Sequence, residues 1–164
     1  MLRYIKTEQK RTRQKKMVKD SPLSEIILRK YEKPSQIDRR ELVKKICLSL
    51  GLLQPGDSRD VIVDILLILV NETKEKRAVS SEEIKSKVLE QRKKHSLELK
   101  GIADSNIRRQ LKRLRDLMLV EKKNNLYYLT EFETLSEIFG KKIEKFLVPQ
   151  TIERIKEYLE ELGK

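Results

Sequence analysis

The chain has 164 residues, of which 39% are charged and 38% apolar, enough for one compact domain with a thin core or a small domain with extensions. Its net charge is +12, and its lone cysteine and lone histidine, Cys47 and His95, exclude an internal disulfide framework and a simple Cys/His zinc site. Five glycines and four prolines leave room for long helices rather than a many-stranded sheet, so the expected class is mainly α.

The positive charge is unevenly placed. Residues 1–20 carry eight Lys or Arg against two acids, and residues 76–123 carry fifteen against seven. Residues 21–75 balance at nine each, and residues 132–164 carry six against seven. Such asymmetry points to a polyanionic partner. The competing source, a lysine-rich surface of the heat-adapted kind, would not leave the remaining segments so nearly neutral. The longest apolar run, "VIVDILLILV", is ten residues, contains Asp64 and is too short to span a bilayer. The N-terminus has charge but no apolar stretch behind it, unlike a signal peptide, and a cytoplasmic setting is expected.

Residues 1–20 are basic and poor in apolar groups, which predicts disorder when free and an arm able to track phosphates. Residues 21–53 are expected to form two helices. The first starts with Ser21 as cap and Pro22 in the first turn, and Pro34 ends it. The second runs from about Asp38 to Leu50, with capping spacing at Asp38 and Glu41, an apolar stripe at Leu42, Ile46 and Leu50, and Gly51 as its stop. Cys47 lies beside this stripe and reads as a small buried hydrophobe.

A domain is expected over residues 58–131. Its first element, around "VIVDILLILV", reads as a core helix by its length, with Ile62, Ile65, Leu66 and Leu69 inward. Ser80 and Glu83 have capping-box spacing ahead of a helix from about Ser81 to Lys94, with His95 at its end. "SLELKGIAD" is a long connector. Asp104 or Ser105 caps the next helix, where Ile107, Leu111, Leu114 and Met118 share one face while Ser105, Arg109, Lys112 and Asp116 point the other way. Asn124-Asn125 tolerates positive φ and predicts a tight hairpin, in which one of Tyr127 and Tyr128 is core and the other exposed. Residues 132–164 read as helix broken near Gly140 and Pro149, with Ile152, Ile155, Leu159 and Leu162 in a 3-4-3 stripe that packs on the domain or pairs with another copy. Carboxylates are placed at helical surfaces beside lysines, where ion pairing is the expected role.

"SSEEI", then "SNIRRQLKRLRDLMLVEKKNNLYYLTE" behind the apolar "VIVDILLILV", resembles the winged helix-turn-helix DNA-binding proteins common among archaeal and bacterial transcription regulators. The resemblance covers residues 58–131. It implies three helices plus a two- to three-stranded wing, with extra helices on both sides, and helix 104–118 in the major groove. Ser105, Asn106, Arg108, Arg109, Lys112 and Arg113 are then the base-edge or phosphate candidates, since arginine can read guanine and asparagine adenine with paired hydrogen bonds. Lys122, Lys123, Asn124 and Asn125 of hairpin 119–130 would lie along the backbone or minor groove. Lys85 and Lys87 are lesser phosphate candidates. Many family members carry glycine where Met118 stands, because the chain turns there in a left-handed conformation.

The expected partner is double-stranded DNA, with a homodimer possible through the C-terminal helices. No cofactor or metal is implied. A nonspecific architectural or RNA-binding protein, or a winged-helix protein-interaction module, are the alternatives. Neither a glycine-rich phosphate loop nor a Ser/His/Asp arrangement suggests an enzyme.

Overall fold

The computed structural model describes residues 20–164. Apart from Asp20, the basic arm expected over residues 1–20 lies outside them. The described chain is mainly helical, with one small antiparallel sheet. Helices α1 (Arg39–Ser49), α2 (Val61–Thr73), α3 (Ser81–Lys94) and α4 (Asp104–Asp116) are followed by a hairpin and a long C-terminal helical run. Strand β1 (Val79–Ser80) pairs with β3 (Leu126–Leu129), which pairs in turn with β2 (Val120–Lys123).

The helix expected over residues 21–33 does not form. This segment has no regular secondary structure and lies across the end of α1, where the Arg29 amide donates to the Ser49 carbonyl at 2.8 Å. The Arg29 guanidinium donates to the Leu48 and Leu53 carbonyls and to Gln54 Oε1. An isolated helix of this length is marginal in water. Packing Ile26 on the core and answering the open carbonyls at the end of α1 outweigh it.

α1 begins where expected, with Asp38 accepting from the Glu41 amide at 2.8 Å. Within it Val43 and Cys47 are buried; of the expected stripe Leu50 is buried and Ile46 packs on the core, while Leu42 is exposed, so the core face is rotated toward Val43 and Cys47. Burial raises the Cys47 thiol pKa to about 12, which keeps it protonated and unreactive at neutral pH. Gly51 stops the helix at φ +68°, and a Cβ there would stand 2.5 Å from that of Ile27, so the turn and the crossing segment both require glycine.

α2 is the central helix. Every residue from Val61 to Leu69 is buried, because α1, α3, α4 and β3 surround it. The four positions expected inward are inward, but so are their neighbours. Among them is Asp64, which corrects the expectation that carboxylates stay at helical surfaces. Arg40 donates to Asp64 and to Asp60 at 2.9 Å each, and Arg92 donates to Asp64 at 2.5 Å and to Asp60 at 3.1 Å. Two arginines and two aspartates thus neutralise one another inside a core that would not hold an unpaired charge.

α3 has the expected bounds, with Ser80 Oγ accepting from the Glu83 amide at 3.2 Å. The reciprocal half of a capping box is missing, since the Glu83 carboxylate pairs with Arg77 instead. The connector to α4 is fastened at both ends: Arg92 Nε donates to the Glu98 carbonyl, and the Asn106 amide donates to the Gly101 carbonyl, each at 2.6 Å.

α4 starts after Ala103, which caps it without a side-chain bond. Asp104 is the first helical residue, and its carboxylate accepts from Lys85 rather than from the helix amides. The helix ends at Asp116, short of Met118. The Leu119 amide donates to the Leu114 carbonyl and that of Met118 to the Arg115 carbonyl, a Schellman closure with Met118 left-handed at φ 61°. The conformation matches the expectation, and methionine bears it at a steric cost. Met118→Gly is therefore expected to stabilise the fold by about 0.5–1 kcal/mol in a denaturant titration. An unchanged or lower midpoint would show that the Met118 side chain contributes more than its backbone strain takes away.

The hairpin turns on Asn124 and Asn125, both at positive φ, as two-residue turns between antiparallel strands demand. Tyr127 is core, and Tyr128 is half-buried with its ring stacked 4.4 Å from that of Phe132. The C-terminal run is not broken at Gly140 or Pro149. A capping box at Thr134 and Glu137 opens α5 (Leu135–Ile138). A π-wound stretch, Phe139–Leu147, carries it into α6 (Val148–Leu162). There the Val148 amide donates five residues back, to Ile143, and Pro149 falls in the first turn of α6, where a missing amide is tolerated. Ile138 and Ile143 join the core, whereas α6 buries none of its residues.

Candidate nucleic-acid interface

α4 is strongly two-faced. Ile107, Leu111 and Leu114 are buried, and at 100° per residue their centre lies opposite Ser105, Arg109, Lys112 and Asp116. Ser105, Arg108, Arg109, Lys112 and Arg115 are exposed. The cationic ridge follows from the same periodicity that builds the core face.

Two flanks border this ridge. On one, Arg108 leans toward α3 and the hairpin, where it shares a cleft of about 380 Å³ with Glu82, Lys122 and Asn125. The Arg108 guanidinium stands 3.5 Å from the Glu82 carboxylate, and both side chains are well exposed, so solvent screens the pair and a stronger anion can displace it. Lys122 lies over the Tyr127 ring at 5.5 Å, which orients its ammonium without neutralising it. Lys123, Asn124 and Asn125 are exposed at the hairpin tip.

On the other flank, Arg113 turns toward the loop after α1. It is half-buried and donates to Gln110 Oε1 at 2.9 Å and to the Gly51 carbonyl at 3.2 Å. Asn106 is engaged at both ends of its amide. Besides its bond to Gly101, its oxygen accepts from Arg109 at 2.7 Å and from Gln110 at 3.1 Å. It positions Arg109 and fastens the connector, and its own amide atoms are occupied.

Lys112 bonds Asp116 one turn on, at 2.9 Å. Lys85 and Lys87 are each ion-paired, with Asp104 at 2.9 Å and Glu72 at 2.6 Å. The bond from Lys85 holds the Asp104 carboxyl below its ordinary pKa. These two lysines therefore serve helix-to-helix contacts first. The fold thus brings Arg108, Lys122 and Asn125 together, keeps Ser105, Arg109 and Lys112 on one open ridge, and turns Asn106 and Arg113 aside.

One cation was not foreseen from the sequence. Arg59, just ahead of α2, lines a second cleft with Arg109 and Arg113. It lies in the charge-balanced part of the chain, where composition gives it no prominence.

The chain matches no protein-family model, no curated protein and no solved structure. Among the described residues no helix is long and apolar enough to cross a membrane.

Proposed function

We propose that this chain is a winged-helix DNA-binding protein that acts in transcription, with α4 lying in the major groove and the β2–β3 hairpin against the backbone or minor groove. The observation that carries the reading is the joint placement of Arg108 from α4 with Lys122 and Asn125 from the hairpin around one cleft, beside an open cationic ridge. A helix is the right width for the major groove, and a basic hairpin next to it can reach the flanking phosphates. The engaged amide of Asn106 favours base reading by Arg109, which Asn106 orients, with the other cations serving the backbone.

Selection of bound sequences from a random duplex pool at moderate salt tests this reading. A shared motif is expected among the recovered duplexes. Retention without enrichment would leave a nonspecific nucleic-acid binder, and no retention would leave a protein-interaction module.

The same reading includes a second copy of the chain as partner. Ile152, Ile155, Leu159 and Leu162 stand in a 3-4-3 row on α6, with Leu159 61% and Leu162 84% exposed. This spacing is that of a helix-pairing seam, which is complementary to itself across a two-fold axis. Two heptads make a short seam, so dimerisation is expected to depend on concentration. Leu159→Glu is expected to leave the circular dichroism spectrum unchanged and to abolish the dimer in sedimentation equilibrium. A wild-type chain that stays monomeric across the micromolar range would overturn this part.

A further inference from the structure

Arg59, Arg109 and Arg113 come from two separate elements and converge on a cleft of about 330 Å³, floored by Leu52 and Val61. Among the described residues none of the three forms a salt bridge, in contrast to Arg40, Arg92 and Arg108. The groups that hold Arg109 and Arg113 are neutral. Arg109 donates to the Asn106 amide oxygen, and Arg113 donates to the Gln110 amide oxygen and to a backbone carbonyl.

Neutral acceptors fix a guanidinium's orientation while leaving its charge uncompensated. A carboxylate in the same place would fix and neutralise it together. Arg40 and Arg92, in the core, meet carboxylates instead, and Arg29 shares neutral acceptors with no second arginine beside it. The one acid lining the cleft is Asp57, which leaves it with a net positive charge.

We propose that this cleft binds a phosphate group, held by the guanidiniums of Arg59 and Arg113, with Arg109 at its edge adding positive charge. The phosphate has two possible sources, a backbone phosphodiester of the DNA strand beside α4 or a free phosphorylated ligand. The first source rests on the reading of α4 as the groove-facing helix, and the second does not. In either case a planar guanidinium fork matches two phosphate oxygens, and the buried apolar floor of Leu52 and Val61 weakens competition from water.

The full chain and two variants, Arg59→Gln and Asp57→Asn, provide the test. Both residues are exposed in the loop before α2, and circular dichroism of each variant serves as the check that it folds. Two measurements run on each protein. One is duplex affinity against salt concentration. The other is the melting temperature with inorganic pyrophosphate at constant ionic strength.

For a backbone phosphate, Arg59→Gln is expected to weaken every duplex roughly tenfold at 0.1 M salt and to flatten the logarithmic salt slope by about 1. Asp57→Asn is expected to shift affinity the opposite way. For a free ligand, pyrophosphate is expected to raise the wild-type melting temperature by about 3 °C near tenfold saturation, with the rise lost in Arg59→Gln.

Duplex binding with an unaltered slope in Arg59→Gln, and no pyrophosphate response, would overturn the cleft while leaving the DNA-binding reading intact. A chain that binds no duplex yet responds to pyrophosphate through Arg59 would keep the cleft and overturn that reading. Failure of both measurements overturns both.

Discussion

Arg109→Ala is expected to weaken binding to the preferred duplex by about 1–3 kcal/mol, a loss of roughly 5- to 150-fold, while affinity for unrelated duplexes changes far less. Arg109 sits at the crest of the α4 ridge, and its guanidinium is steered by the Asn106 oxygen 2.7 Å away. A donor held in one orientation loses less freedom on pairing with a base edge, and a misoriented base is rejected more strongly. Lys122→Ala should behave differently. Its ammonium lies over Tyr127 at the hairpin, away from the crest of α4, and is expected to meet the backbone. A uniform loss across sequences, with a salt slope flatter by about 1, is expected there. Fluorescence anisotropy on matched and scrambled duplexes separates the two patterns. Equal losses on both duplexes for Arg109→Ala would demote it to a phosphate contact.

The second large effect concerns the core. Arg92→Leu is expected to destabilise the fold by about 3–5 kcal/mol, because it removes one of two cations from a buried cluster and leaves Asp60 and Asp64 facing Arg40 alone. The melting temperature should fall by on the order of 10 °C. Combining Arg92→Leu with Asp64→Asn should cost less than the sum of the two, since the double variant restores charge balance. Arg92→Leu with a cost below about 1 kcal/mol would show that the cluster is solvated or replaceable.

The same cluster sets an acid limit. Burial alone would raise the Asp60 pKa, but bonds from Arg40 and Arg92 hold it below 3.8. A lowered folded pKa means stability that is fully present above pH 3.8 and lost as pH falls through the folded value. Asp60→Asn, less stable than wild type at neutral pH, should therefore lose less further stability than wild type on acidification below about pH 4. Parallel acid titrations of the two proteins would remove Asp60 from this account.

Local chemistry explains which elements were legible in the sequence. Ser80 and Glu83 mark the start of α3 because an oxygen three residues ahead of an amide can satisfy it, whatever the rest of the chain does. Asn124-Asn125 marks the hairpin for a similarly local reason, whereas the left-handed turn at Met118 is implied only by the resemblance to winged-helix proteins. The opening of α5 carried an equally local sign, Thr134 with Glu137, that the spacing of apolar residues concealed.

Long-range partners explain what was not legible. Ser21 and Pro22 resemble a helix start, yet the segment is held out of a helix by Arg29 reaching the end of α1, 19 residues away. Asp64 interrupts an apolar run, and its partners Arg40 and Arg92 lie 24 and 28 residues from it. In α1 the rows Leu42–Ile46 and Val43–Cys47 have the same spacing, and only contact with α2 selects the second for burial. At the interface, periodicity placed the cationic ridge of α4 correctly. It could not reveal that Asn106 folds back on Gly101 or that Arg59 arrives beside Arg113.

The most direct test of the DNA-binding claim is the affinity of the full chain for a duplex measured across salt concentrations. The account predicts tight retention at low salt and a logarithmic affinity that falls linearly, with a slope of about −0.9 for each phosphate neutralised. It also predicts a flatter slope when Arg108 and Lys122 are both replaced by glutamine. A chain that fails to retain duplex DNA at low salt would contradict it.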